Sequence, residues 1–343
     1  MSDARGRWRA VVFLALGVGV IAAVMLSLGS GAAKMSAGEV WSALWDEAAP
    51  ARDRFVVREI RLPRTLAALA VGAALAASGA ALQGLFRNPL ADPGLIGITA
   101  GGSLGAVAGM VLLASPAMAW AVGMGLWLTP FCAFVASLAT TGLVYQLSKI
   151  SGRVTVAHML LVGVAMNSLC GALTGAIVTR ANDQQLRDLT FWLMGGLGFV
   201  TGRQLPIMLV FVVTPLVFLP LYARGLNALL LGEGEAFTMG VRLERLKTVI
   251  VLASALSVGG AVAFCGAIGF VGLVAPHLVR LLVGGDHRYV FPGAALMGAL
   301  LLCAADLVAR TVAAPTEMPV GIVTASLGAP FFLFLLLKSR PRT

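Results

Sequence analysis

The residues of this sequence that could do chemistry are few, and their spacing points away from catalysis. His158, His277 and His287 are the three histidines, and no two share a metal-ligand spacing. Cys132, Cys170, Cys265 and Cys303 all lie inside apolar runs, with no CxxC or CxxH pair. They read as free thiols that fill core space, so no metal site and no disulfide framework is expected. The GxxxxGK[ST] loop that cradles nucleotide phosphates is absent, and the dipeptide Gly-Lys never occurs. The chain therefore lacks its own phosphate-binding loop of that type. Asp306 alone among the acids falls well inside an apolar stretch, where it either pairs with a neighbouring helix or takes part in function.

Two polar segments stand out against the apolar background. The first is QGLFRNPLADPGLIG, Gln83–Gly97. Pro89 and Pro93 stop helix continuation and bias Asn88 and Asp92 toward extended backbone. Asp92 before Pro93 suits an N-cap followed by proline at the first helical position. The second is RGLNALLLGEGEAFTMGVRLERLK, residues 224–247. It is too short and too polar to span a bilayer, and is expected to form a helix–turn–helix lying on the surface. Leu229, Leu230 and Leu231 beside Glu233 and Glu235 suit insertion into a groove on another protein. A plain surface connector is the alternative.

The elements that position these segments follow from composition. The 343 residues are 59% hydrophobic and 12% charged, and a soluble domain carries about twice that charge. Forty-one glycines fit membrane helices, where glycine is common. The net charge of +10 lacks the aromatic-basic interleaving of a nucleic-acid binder, and membrane charge asymmetry accounts for it. A spanning helix needs about 20 apolar residues. Ten stretches qualify or nearly so, at about 11–28, 64–85, 95–114, 118–144, 156–178, 205–222, 248–264, 267–283, 289–309 and 319–337. The seventh and eighth almost touch at Cys265–Gly266. The first is too long for a cleaved signal peptide. An eleventh run, Leu189–Val200, is too short to span and reads as interfacial or re-entrant.

Ten spans place both termini on one side. With the N-terminus inside, most of the 25 lysines and arginines fall on inner segments, as the positive-inside rule requires. Gly72, Ala76, Ala80 and Gly84 form a small-residue ladder that lets helices approach closely. Residues 61–84 and 245–267 echo one another weakly, as in an inverted repeat.

Five ordered motifs now carry a resemblance. RLPRT (61–65), the Gln83–Gly97 segment, LLLGEGEAFTMGV, GFVGLVAPHLVRLLVGGDHR (269–288) and MPVGIVTASLGAPFFLFLL (318–336) resemble the permease subunit of type II ATP-binding-cassette importers. That family moves iron-siderophores, haem and vitamin B12. The resemblance covers nearly the whole chain. It implies an all-α integral membrane protein in a single domain, 1–343, with ten transmembrane helices. It also implies a short periplasmic helix at about 187–203, cytoplasmic coupling helices in the loop at about 224–247, and a homodimer around a central pathway. Two separate cytoplasmic ATPase subunits carry the ATP, and a periplasmic binding protein delivers the cargo. No cofactor is held permanently, and the chain is not itself an enzyme. The setting is a bacterial inner membrane, with both termini cytoplasmic.

Carried over by position, the resemblance assigns roles. Gly232, Glu233, Ala236 and Gly240 match the coupling helices that sit in the ATPase groove. Asn88 and Leu90 match a turn that closes the cytoplasmic mouth, and Thr155 and Val156 match the opposing gate. The VTVA sequence there is less hydroxylated than the family's usual gate. Arg61, Arg64 and Arg310 match arginines that meet carboxylates on the binding protein. DQQLRDLTFWLMGGLG (183–198) is similar to the periplasmic segment of haem permeases, and vitamin B12 permeases carry a related Trp-Met-Gly pattern. Haem is therefore the expected cargo, with vitamin B12 or an iron-siderophore as alternatives. An ion-coupled secondary transporter would bury more acids than this chain does. A non-transporting membrane scaffold is the remaining rival.

Overall fold

The computed structural model describes residues 2–31, 34–113, 118, 121, 123–314 and 316–338. Among these the chain is helical apart from one small hairpin. Helix α1 is Ser2–Gly29, and α2 is Ala37–Trp45, started by a reciprocal Ser36–Glu39 capping box. Helix α3 runs over Ala51–Phe86 and contains a π-helical turn at Val56–Arg61. A 3-10 turn, Pro93–Ile96, leads into α4, Ile98–Val107, which continues as a π-helical turn to Leu113. Then come α5 (Leu128–Leu147), strands β1 (Lys149–Ile150) and β2 (Arg153–Val154), and α6 (Val156–Val178). Helix α7 is Asp183–Leu193, α8 is Leu205–Phe218, α9 is Ala223–Leu229 and α10 is Glu233–Thr238. The last four are α11 (Leu243–Cys265), α12 (Val271–Val283), α13 (His287–Val312) and α14 (Val320–Lys338).

Among the described residues, seven helices are long and apolar enough to cross a membrane. Three shorter apolar helices, Ile98–Leu113, Val271–Val283 and Val320–Phe334, fall where the sequence places the third, eighth and tenth spans. Several boundaries differ from expectation, that of the second span among them, whose helix begins at Ala51 rather than at about 64. The fourth span was expected from 118, but α5 begins at Leu128, because Gly125 at φ +52° and a 3-10 turn at Gly125–Trp127 precede it. Part of the earlier stretch lies outside the described residues. The third span starts at Ile98, not 95, since Asp92 and Pro93 open the 3-10 turn and Gly97 at φ +84° closes it.

Helix α3 is the centre of the fold. It packs on α13, α11, α12 and α8, and 83% of its most apolar window is buried. The small-residue ladder explains how. A Cβ on Gly72 would overlap the Gly298 carbonyl of α13, and one on Gly79 would overlap the Gly272 carbonyl of α12. Backbone therefore meets backbone, as small residues at membrane helix interfaces allow. Helix α6 is the opposite case, with only 11% of its window buried.

The short helix expected at about 187–203 is displaced. Helix α7 is Asp183–Leu193, because Asn182 and Gln185 form a capping box that starts it early. It stops where Gly195 turns to φ +74°. The following Gly195–Gly196 pair enters the break between α11 and α12, where the Gly196 amide donates to the Cys265 carbonyl at 2.8 Å.

Candidate coupling site and gate

The 224–247 segment folds as a helix–turn–helix. Helix α9 packs against α3 and α13. Asn227 fastens it there: its side chain donates to Asp286 Oδ1 (2.7 Å) and accepts from the His287 amide (2.9 Å). Asp286 also caps α13 and pairs with Arg288. Arg288 hydrogen bonds, the largest cause, hold the Asp286 carboxyl well below the usual carboxylate range. Gly232 links α9 to α10 at φ +134°, a conformation reserved for glycine. A Cβ there would also overlap the Glu235 carboxylate. Gly240 ends the unit at φ +83°. Ala236 is fully buried, whereas Leu231, Phe237 and Met239 are 67%, 71% and 63% exposed. The unit thus keeps one small face inside and presents an apolar knob outward. Glu233 is ion-paired within the chain, to Lys247 at 3.0 Å.

The Gln83–Gly97 turn is rigid for local reasons. Arg87 ends α3 at φ +50°, and the Arg87 and Asn88 amides return to the Gly84 and Gln83 carbonyls, a Schellman closure. Asn88 Oδ1 accepts from the Leu90 amide at 2.9 Å, an Asx turn. Asp92 Oδ1 accepts from Gly94 N at 2.8 Å, and burial raises its pKa. Helix α6 lies against the 3-10 turn that follows. Asn167 donates to the Gly94 carbonyl at 3.0 Å, and Gly163 gives room to the Leu95 carbonyl. Val156 joins the main apolar core, whereas Leu90 is half-buried outside it. Thr155 is exposed at the N-cap of α6 and makes no side-chain cap bond. The Gln83–Gly97 turn and α6 are therefore joined through Pro93–Ile96, not through a core contact of Leu90. Between α5 and α6 the β1–β2 hairpin turns at Ser151 (φ +49°) and Gly152 (φ +80°), the geometry of a type I′ turn.

The arginines expected to face a partner are turned inward. Arg61, Arg64 and Arg310 are 5%, 9% and 9% exposed. Arg64 donates to Asp306 at 2.9 Å and to Glu317 at 2.8 Å. Arg310 donates to the Ser27 and Ser30 carbonyls and lies 3.4 Å from Asp306. Arg61 donates to the Leu28 carbonyl at 2.7 Å. Within one chain all three guanidinium groups are thus engaged internally. The physical reason is that the last turn of α1 leaves carbonyls without helical partners, and Asp306 is wholly buried. Both needs are met by these guanidinium groups. The ambiguity over Asp306 resolves the same way, since it joins α3 to α13. Two cavities of about 430 and 500 Å³ open beside the cluster, and Arg64, Leu197, Gly198 and Glu317 line both.

Residues 19–338 match the FecCD transport family. The chain belongs to the FecCD transport family. As an ABC importer permease of that family it is similar to the hemin transport system permease protein HmuU of Yersinia pestis, at 44% identity over 95% of this chain and 96% of that one. It is also similar to the vitamin B12 import system permease protein BtuC of Shigella boydii, at 42% over 97% and 96%. An inward-facing metal-chelate type ABC transporter matches with a TM-score of 0.84 at 31% identity, over 96% of this chain and 99% of that chain.

Sequence reasoning missed two parts of this FecCD permease. One is the hairpin before α6, whose only signal is Ser151-Gly152. The other is Lys247, the last residue of the coupling segment, which gives no sign in the sequence of being buried. The Trp192–Gly196 part of the segment used to suggest a cargo also has a structural duty. Gly266 gives room to the Trp192 carbonyl and Gly321 to that of Met194.

Proposed function

We propose that this FecCD permease imports haem from the periplasm to the cytoplasm of a bacterium, across the inner membrane. It does so as a homodimer of ten-helix subunits with both termini cytoplasmic. A periplasmic protein delivers the cargo. Two separate ATPase subunits drive transport by gripping the α9–α10 unit, with Gly232, Glu233, Ala236 and Gly240 shaping it and Phe237 filling a groove. Asn88, Leu90, Thr155 and Val156 border the cytoplasmic gate. The observation that carries the cargo assignment is the near-full-length 44% identity to a hemin permease. The matching 42% identity to a vitamin B12 permease supports cobalamin as the second reading. The 31% likeness to a metal-chelate transporter keeps an iron-siderophore as a third. The exposed knob of Leu231, Phe237 and Met239 supports the coupling role, because an apolar patch on a short helical unit outside the spans fits a partner's groove.

The test is transport into proteoliposomes holding the permease, its ATPase and its binding protein. Haem is expected to accumulate on ATP addition and cobalamin is not. Accumulation of cobalamin alone would replace haem by the second reading.

A further inference from the structure

A buried lysine stands where the coupling unit, α11 and the hairpin meet. Lys247, in the second turn of α11, is 3% exposed. An ammonium removed from water requires oxygen partners. It lies 3.0 Å from Glu233 Oε1 and 3.6 Å from Glu244 Oε1, and it donates to the Val154 carbonyl at 2.8 Å. Glu244 completes a ring, since its other oxygen accepts from the Val154 amide at 3.3 Å. Both backbone polar groups of Val154 are therefore held by side chains of α11. Val154 ends the hairpin, opposite Lys149, and Val156 begins α6 two residues later.

Stability alone does not account for this arrangement. Only the lysine is buried: Glu233 and Glu244 are 42% and 45% exposed, and ion pairs that solvent screens contribute little to stability. Leu246 and Ile250 already fill the apolar positions of the same helical turns. What Lys247 adds is a connection with two ends, Glu233 on the coupling unit and Val154 at the foot of the gate helix. A hydrocarbon side chain would touch both and hold neither.

We infer that Lys247 is a positioning residue that carries displacement of the coupling unit to the start of α6. This rests on the reading of α9–α10 as the ATPase contact. When α10 shifts, the Glu233 carboxylate moves with it. The ammonium keeps its Glu233 partner only if it follows, and its bond to the Val154 carbonyl then draws the hairpin end and Thr155–Val156 along. The link is short and charged, so it transmits pull as well as push. A packing contact transmits push alone.

The experiment uses the complete reconstituted transporter, loaded with haem and, in parallel, cobalamin. The readout is cargo moved per ATP hydrolysed. Lys247→Met is expected to lower that ratio at least tenfold, with hydrolysis falling by less than twofold. Lys247→Arg, which keeps the charge, is expected to recover at least half of the ratio. A merely structural lysine would lose transport and hydrolysis in equal proportion, and that result, or an unchanged ratio, overturns the proposal. A second arm needs no variant: hydrogen exchange at the Val154 amide is expected to differ between nucleotide-free and ATP-bound wild type. Constant exchange also overturns it. Phe237→Asp tests the underlying reading separately. If the ATPase still copurifies with that variant, the coupling contact itself is misassigned. If copurification is lost there while Lys247→Met keeps its ratio, only the Lys247 role fails.

Discussion

Arg64 and Asp306 show how charge persists inside an apolar bundle. An unpaired ion there costs several kcal/mol, and breaking a buried pair by removing one partner costs about 3–5 kcal/mol. Arg64→Met should therefore strand Asp306 and lower the unfolding temperature of the detergent-purified protein steeply. Arg64→Met combined with Asp306→Leu should recover most of the loss, because Arg310 keeps its Ser27 and Ser30 carbonyls. Failure of that recovery would mean that the charges serve something besides cohesion. Asp286 offers a milder case at the other end of α13. Its pKa is depressed in the folded chain, so its contribution is full above the unfolded carboxylate value of about 3.9 and fades as pH falls through the lower folded value. Asp286→Ala should cost about 1 kcal/mol at neutral pH, as lost helix caps do. The gap to wild type should close only below about pH 4, which thermal unfolding across pH would show.

At the scale of elements, helix–helix contact without side chains makes α3 intolerant of growth. Gly72→Val would drive its Cβ into the Gly298 carbonyl and add two methyls to the same crowded contact. It should abolish membrane-integrated yield, whereas Gly171→Val on exposed α6, where a Cβ meets open space, should not. Expression of the two variants side by side decides it. The gate gives another prediction. With the gate as proposed, Leu90→Ser with Val156→Ser should raise passive leak from cargo-loaded vesicles without ATP, as wetting of an apolar closure does. Leak equal to wild type would return the Gln83–Gly97 turn to a purely structural role. The spans were readable in the sequence because bilayer thickness fixes their length and apolar character. The Asp92–Pro93 start and the coupling turn were readable because cap and glycine chemistry is local. The Asn182 capping box was there to be read as well, and it would have placed α7 correctly. Two-residue strands carry no periodic pattern, so the hairpin had no comparable signal.

For the whole molecule, the uneven burial of the spans is the informative feature. Helix α6 presents Leu161, Val164, Leu169 and Leu173 outward, and its cover within one chain is slight. Native mass measurement of the lipid-extracted complex should find two permease chains with two ATPases; a single permease chain would refute the dimeric pathway. The arginine cluster was the part least open to sequence reading, because its Arg61–Arg64 and Asp306–Arg310 halves lie far apart in the chain. Their pairing becomes visible only once α1, α3 and α13 are packed. The same separation has a consequence in time. Arg64 and Asp306 are 242 residues apart, and a ribosome adding about 5–20 residues per second needs roughly 12–50 s to cover that distance. Throughout that interval the nascent α3 carries an arginine without its counter-ion. That end of α3 must wait near headgroups or inside the insertion machinery, and the helix at the centre of the finished fold is among the last to settle.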